Sequence, residues 1–470
     1  MVISQCSIEI FWTYRRLLGF ISLEIEFNPE GEARVTARDT YRGSAGQMLA
    51  GSGPLLRDVA HMPAALQRPL RQTLFEYVRA QGSTTRAEMG RALGVSAASV
   101  SAATGELIAE GFLRETAEIE NTETDTPRTG RGRPPVSLQV AAEAHHVIGL
   151  KLGDLRHTAV LSDFAGQRHA ELSLPTRPHR KSAAVLIAEA RALVDQLLAQ
   201  QGMARSDISC IGVGMAGMVD YATGNVPWSP MLDAPGTGLS AQFAAALGVP
   251  CYLDNDANLL TLAELWFGGG RGKSDFAVVT IEHGVGMGLV LFNQLYRGAR
   301  GMGMELGHTK VQLDGALCRC GKRGCLEAYV ADYALAREAA TALDQHASFS
   351  ESPLALLEEL FAEARRGNDA ALSIFRRAGR YLALGLSNVA QMFDPEVIIL
   401  SGGRMQYDYL YAREVLAEMQ AMTLTGARAP ARVEIHAWGD LVWAQGAVAL
   451  ALGQVTEQRL GANALRSGAA

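Results

Sequence analysis

The run Gly301-Met302-Gly303-Met304-Glu305-Leu306-Gly307-His308, continued by Leu317-Cys318-Arg319-Cys320-Gly321-Lys322-Arg323-Gly324-Cys325-Leu326-Glu327, gathers one imidazole, three thiols and two carboxylates. The spacing His308-x9-Cys318-x-Cys320-x4-Cys325 offers three thiolates and one imidazole, a closed tetrahedral set for zinc. A disulfide with two bystander ligands is the plainer reading. Cys318 and Cys320 are too close along the chain to pair without strain, which argues against it. A metal bound here would staple the loop and fix the two flanking carboxylates, Glu305 and Glu327.

This stretch resembles the signature of the ROK family (repressors, open reading frames, kinases), in which a G-H…C-x-C-G-x-x-G-C-L-E run holds structural zinc beside a sugar site. All four ligand positions are present, and weaker similarity extends over about two-thirds of the chain. The resemblance implies an α/β fold: an actin-like, ribonuclease-H-like two-lobed domain, preceded in family repressors by an α+β winged helix-turn-helix domain. It also implies one structural zinc ion per chain, on His308, Cys318, Cys320 and Cys325.

Composition sets outer bounds. The chain has 470 residues, enough for two or three domains, and 48% hydrophobic content, enough for sizeable cores. Its formal charge of -6 gives no global attraction to nucleic acid, so DNA contact requires a local basic patch. Cys6, Cys210 and Cys251 are scattered in apolar surroundings and read as reduced, in keeping with a cytoplasmic protein. No apolar run is long enough to cross a bilayer. Phe11 to Ile21 lacks the basic-then-apolar order and cleavage site of a secretory signal.

Four segments are expected. Residues 1–61 read as a poorly ordered extension without a family counterpart, with Met48 and Met62 as alternative starts. Residues 62–140 form the winged helix-turn-helix domain. Residues 141–258 form the first lobe, completed by about 436–460. Residues 259–435 form the second lobe, with the zinc site.

In the second segment, Leu70, Leu74 and Val78 share a helical face, and Gly82 ends that helix. Thr85-Arg86-Ala87-Glu88 is a capping box that starts another. Gly94 stops it, and Ser96 caps a third helix from Ala97 to about Glu110. Helix, glycine turn, helix is a helix-turn-helix, and strands at Phe112-Leu113 and Val136–Val140 make it winged. A helical bundle serving assembly alone is the bland alternative. Against it stands Thr129-Gly130-Arg131-Gly132-Arg133-Pro134, slim and basic enough for a narrow minor groove. The expected DNA contacts are Arg86 and Arg91 on phosphates, Ser96, Ser99, Ser101 and Thr104 on the reading helix, and Arg131 and Arg133 at the wing tip. The reading helix has no long basic side chain, so it makes no bidentate contact to guanine.

Further on, two apolar strand-turn-strand units look alike: Val147–Asp154 running into Thr158–Asp163, and Phe276–Ile281 running through Glu282–Gly288 into Leu289–Phe292. A third strand-turn is Val397–Gly403. In ROK kinases the first turn reads Asp-x-Gly-Gly-Thr and the second Gly-Thr-Gly-x-Gly, presenting N–H groups and hydroxyls to nucleotide phosphates. Here Lys151 stands at the Asp position, Asp154 and Leu155 replace Gly-Thr, and Glu282 and His283 replace Gly-Thr in the second turn. Productive ATP binding is therefore not expected.

The sugar half is better kept. Asp254-Asn255-Asp256 resembles the family's Asn-Asp pair, in which the Asp is the kinase base. The resemblance assigns Gly217, Asn255, Asp256, Glu305, His308 and Glu327 to a sugar between the lobes, with Asp256 accepting hydrogen bonds rather than catalysing. Met231 replaces an amide of the family, which suggests a ligand lacking one hydroxyl or carrying an apolar group.

The expected function is a sugar-responsive transcriptional regulator, most simply a repressor. Its expected partners are operator DNA, a sugar or sugar-derivative effector, and other copies of itself in a homodimer or homotetramer. The alternative is an ATP-dependent hexose or N-acetylhexosamine kinase fused to a DNA-binding module.

Overall fold

A computed structural model describes residues 22–27, 33–38, 51–56, 67–116, 136–342, 353–402, 405, 413–424, 429 and 431–462. Contacts divide the chain into two units. The first holds Gln47–Ser274 and Trp443–Ala470, and the second holds Met1–Gly46 and Asp275–Val442.

The chain opens with an antiparallel hairpin, β1 (Ser22–Phe27) and β2 (Ala33–Arg38). It belongs to the second unit, where β1 pairs with a late strand, residues 433–436. This differs from the expectation for residues 1–61. Leu23, Ile25 and Phe27 alternate with polar residues, the pattern of a strand. Residues 51–56 are also placed, with the Ser52 N–H on the Arg79 carbonyl and the Gly53 N–H on the Trp266 carbonyl.

The helix-turn-helix follows in the first unit: α1 (Leu70–Gln81), β3 (Thr84–Thr85), α2 (Arg86–Leu93), α3 (Ala97–Ala109), β4 (Leu113–Thr116) and β5 (Ser137–Val140). Its local signals act as chemistry requires. Thr85 Oγ1 accepts from the Glu88 N–H and Glu88 reaches back to the Thr85 N–H, which satisfies donors that a helix start leaves orphaned. Ser96 caps α3 through the Ser99 N–H. Leu74, Val78, Met89, Val100, Leu107 and Leu138 are fully buried, so the three helices and the sheet share one small core. The sheet order is β3-β5-β4.

The rest of the first unit contains β6 (His146–Lys151), β7 (Arg156–Asp163), β8 (Arg168–Pro175), α4 (Ala183–Gln201), β9 (Ile208–Met215), β10 (Met218–Asp220), β11 (Asn225–Trp228), α5 (Leu239–Leu247), β12 (Cys251–Asn255) and α6 (Asp256–Phe267). Its main sheet runs β12-β9-β6-β7-β8. The boundary expected after Asn258 falls instead after Ser274, because α6 runs through residue 258 without a break.

The second unit continues with β13 (Phe276–Ile281), β14 (Val285–Leu291), β15 (Gln294–Tyr296), α7 (Glu327–Val330), α8 (Asp332–Ala342), α9 (Pro353–Arg365), α10 (Asp369–Phe393), β16 (Val397–Ser401), α11 (Arg413–Met422) and β17 (Val433–His436). The chain then returns to the first unit in α12 (Val442–Leu460). The second sheet runs β15-β14-β13-β16-β17-β1-β2. Without its last two strands it repeats the first sheet: an antiparallel meander, then two strands parallel to the first of the meander. The long helix α10 buries Ala371, Ile374, Phe375, Ala378, Leu382, Leu386 and Val389, an apolar stripe at helical spacing. Asn368 caps its start, and Asp394 in the left-handed region ends it.

Candidate metal centre and flanking polar sites

The loop between β15 and α7 folds back on itself through bridges Lys310–Cys325 and Leu317–Arg323. A tight turn, with the Cys318 N–H on the Lys322 carbonyl and the Gly321 N–H on the Cys318 carbonyl, carries Cys318, which is buried, and Cys320, which is exposed. The ligand atoms of His308, Cys318, Cys320 and Cys325 all lie within 4.8 Å of one another, so the group could hold a metal ion. His308 Nδ1 is 3.7 Å from Cys318 Sγ, and Cys320 Sγ is 3.7 Å from Cys325 Sγ. Sulfur ligands about 2.3 Å from a tetrahedral centre lie roughly 3.8 Å apart, so these edges fit an ion of that geometry. The same distance is far beyond a disulfide bond, and all three cysteines are free thiols. Burial pushes the Cys318 thiol up to about 12, so a bound cation must displace its proton.

Around the sulfurs sits a polar shell. Lys310 Nζ donates to Cys325 Sγ at 2.7 Å, and that sulfur raises the lysine above its usual range. Lys310 was not singled out from the sequence, although a cation two residues after a candidate ligand is a usable signal. Arg319 stacks on Tyr333 at 4.0 Å, and the Tyr333 hydroxyl donates to Cys318 Sγ and Glu327 Oε1. Glu327 is 9% exposed, and its second oxygen accepts from the Val285 N–H at 3.4 Å. Its carboxylate therefore braces the cluster, a role the sequence reading did not give it. Glu305 is exposed just before the short turn that carries His308.

At the β13–β14 turn, Glu282 Oε1 lies 3.2 Å from the position that a Cβ on Gly402 would take. His283 Nδ1 is 3.6 Å from Asp332 Oδ2. Two carboxylates, Glu282 and Asp332, thus stand around the β13–β14 turn.

In the first unit, α6 begins at the end of β12. Asn255 caps it, accepting from the Ala257 N–H at 2.7 Å while its own NH2 donates to the Gly217 carbonyl at 2.6 Å. Gly217 has φ +124°, and a Cβ there would meet the Trp228 carbonyl at 2.4 Å, so the loop needs glycine. The Asn255 amide is thus committed to holding that loop. Asp256, one residue on, forms an ion pair with Lys151: Nζ to Oδ2 is 3.2 Å. Met231 is 5% exposed and packs into the core of this unit.

The DNA-reading residues divide. Arg91, Ser96, Ser99 and Ser101 are exposed. Thr104 is fully buried and donates to the Val100 carbonyl. Arg86 is not free for phosphate: its Nε donates to Thr104 Oγ1 at 3.0 Å and its Nη2 to Glu115 Oε1 at 2.8 Å, which brackets α2, α3 and β4 together. Arg131 and Arg133 lie outside the described residues.

No helix among the described residues is long and apolar enough to cross a membrane. Residues 147–454, nearly two thirds of the chain, match the ROK family. A putative xylose repressor from Caldicellulosiruptor sp. is 26% identical over 78% of this chain and 91% of that protein. A glucokinase from Streptomyces coelicolor is 30% identical over 54% of this chain and 81% of that protein. A crystal structure of a ROK family transcriptional regulator, a homologue of the Escherichia coli MLC protein, aligns with a TM-score of 0.68 at 22% identity, covering 83% of this chain and 96% of that one. The two regulators match a larger share of this chain, 78% and 83%, than the kinase does at 54%. With the duplicated sheets and the four-ligand loop in place, the chain belongs to the ROK family.

Proposed function

We propose that this chain is a sugar-responsive, DNA-binding transcriptional regulator, acting as a repressor, and that it has given up phosphoryl transfer. The observation that carries the reading is the Lys151–Asp256 ion pair. Asp256 matches the base of ROK kinases, and Lys151 stands where those kinases have an aspartate that helps to hold the metal. A lysine in place of that aspartate removes a ligand for the metal, and its Nζ occupies the carboxylate that a substrate hydroxyl would have to reach. Glu282 beside Gly402 adds a negative charge where a triphosphate would have to lie.

Each unit offers groups suited to recognition. In the first unit Asp256 offers acceptors for hydroxyls and Gly217 lets a backbone approach closely; in the second, Glu305 and His308 offer acceptors and a donor. With Nδ1 turned toward Cys318 Sγ, His308 would keep Nε2 for the ligand. Zinc is the proposed ion, since three thiolates and an imidazole suit it. Arg91, Ser96, Ser99, Ser101 and the arginines 131 and 133 are the proposed DNA contacts. Two copies on symmetric half-sites are the proposed assembly.

The test pairs two assays on the full-length chain with D-xylose, D-glucose and N-acetyl-D-glucosamine. A coupled ADP assay should give no turnover, while thermal unfolding should shift upward with at least one sugar. ADP formation with any of them, abolished by Asp256→Asn, establishes the kinase instead.

A further inference from the structure

We propose that α6 and α12 form one rod that carries the state of the effector residues to the DNA-binding module, with Lys151 clasped at one end and Arg79 at the other. The inference rests on the regulator reading above and supplies its line of transmission.

The two helices are locked together along their length. A Cβ on Gly446 of α12 would lie 1.8 Å from the Leu259 carbonyl of α6, so the backbones themselves touch. One end further on, the Cβ position of Gly453 lies 3.9 Å from the Trp266 ring. Every residue of α6 from Ala257 to Trp266 is buried. Close-packed helices of this kind shift as rigid bodies rather than bending.

Each end of the pair holds one cation, and both helices share it. Lys151 Nζ is 3.2 Å from Asp256 Oδ2 on α6 and 5.7 Å from the ring of Trp443 on α12. At the far end the guanidinium of Arg79, from α1, lies 4.4 Å over Trp266 of α6 and donates to Thr456 Oγ1 of α12 at 2.9 Å. The spans from residue 256 to 266 and from 443 to 456 are roughly 15 and 20 Å.

Arg79 is a deliberate kind of clasp. It is 2% exposed, and Phe75 and Trp266 flank its guanidinium, while its Nε has no hydrogen-bond partner among the described residues. Gln72 reinforces it by donating to Glu457 Oε2 at 3.0 Å. Arg271, just past α6, donates to the Gly53 and Ala80 carbonyls and ties the same corner from the other side. A ligand that changes the partner of Asp256 changes the force on one end of the rod, and α1 is the element that receives it.

Hydrogen exchange on the full-length protein, without sugar or DNA, reads this coupling directly. Lys151→Met should speed exchange in residues 70–81 by about threefold or more, and Arg79→Met should do the same at residues 256–260, since coupling is reciprocal. Thr456→Val, which removes only the hydroxyl, repeats the Arg79 arm if that variant does not fold. Leu197→Ala, buried on α4 and off the rod, should leave residues 70–81 at the wild-type rate. Changes confined to the mutated end, or an equal effect from Leu197→Ala, overturn the proposal. Because no ligand is used, failure here leaves the regulator reading standing, and failure of sugar binding leaves this result intact.

Discussion

Lys151 Nζ sits 3.2 Å from Asp256 Oδ2, so the carboxylate that begins α6 is held by a lysine from the end of β6. Both side chains are partly screened from solvent, at 16% and 31% exposure.

Removing the lysine therefore tests specificity more than stability. Lys151→Met should lower unfolding free energy by no more than about 1 kcal/mol in urea titrations, as for other partly exposed pairs. Sugar affinity, measured by calorimetry, should change while ADP formation stays absent.

The metal loop gives a separate prediction. Cys320 is exposed, so Cys320→Ser removes a ligand with little packing loss. Elemental analysis should show about one zinc per wild-type chain and well below that in the variant, whose melting temperature should fall by several degrees. Full stability and no metal in the wild type contradict the assignment.

Two arginines in the helix-turn-helix should behave differently. Arg86→Ala breaks the bracket to Thr104 and Glu115 and should cost about 1 kcal/mol of stability. Arg91→Ala should leave stability unchanged and reduce the salt slope of DNA binding by about one.

His145 makes a pH prediction. It stacks on Phe112, meets Phe164 edge-on and shares a hydrogen bond with Ser209 Oγ at 2.7 Å. Burial, with Arg459 and His146 adding repulsion, lowers its pKa from 6.5 to about 4. The folded protein thus binds fewer protons than the unfolded chain between those values. Its contribution is complete above about pH 6.5 and is lost as pH falls toward 4. The stability gap between wild type and His145→Gln, from urea titrations, should narrow across that window.

Much of this was legible in residue order. The capping box at Thr85–Glu88, the cap at Ser96, the duplicated strand-turn-strand units and the four-ligand loop each have a local physical cause, and each formed as read. What was missed depends on distant partners. Thr104 looked exposed because nothing nearby on its helix announces Arg86, and Asn255 looked free because Gly217 is far away in sequence. Arg79 and Arg271 carry no local signal of burial, because the aromatic ring and carbonyls that enclose them come from other segments. The β1–β2 pair has its own local signal in the alternation of Leu23, Ile25 and Phe27 with polar residues.

The central claim is that sugar controls DNA affinity in a chain that no longer phosphorylates. The direct measurement takes a duplex selected by the full-length protein from random sequence and titrates it at fixed salt, with and without D-xylose, D-glucose and N-acetyl-D-glucosamine. The account predicts that at least one sugar weakens binding by about fivefold or more. Unchanged affinity with all three, together with sugar-dependent ADP release, would contradict it.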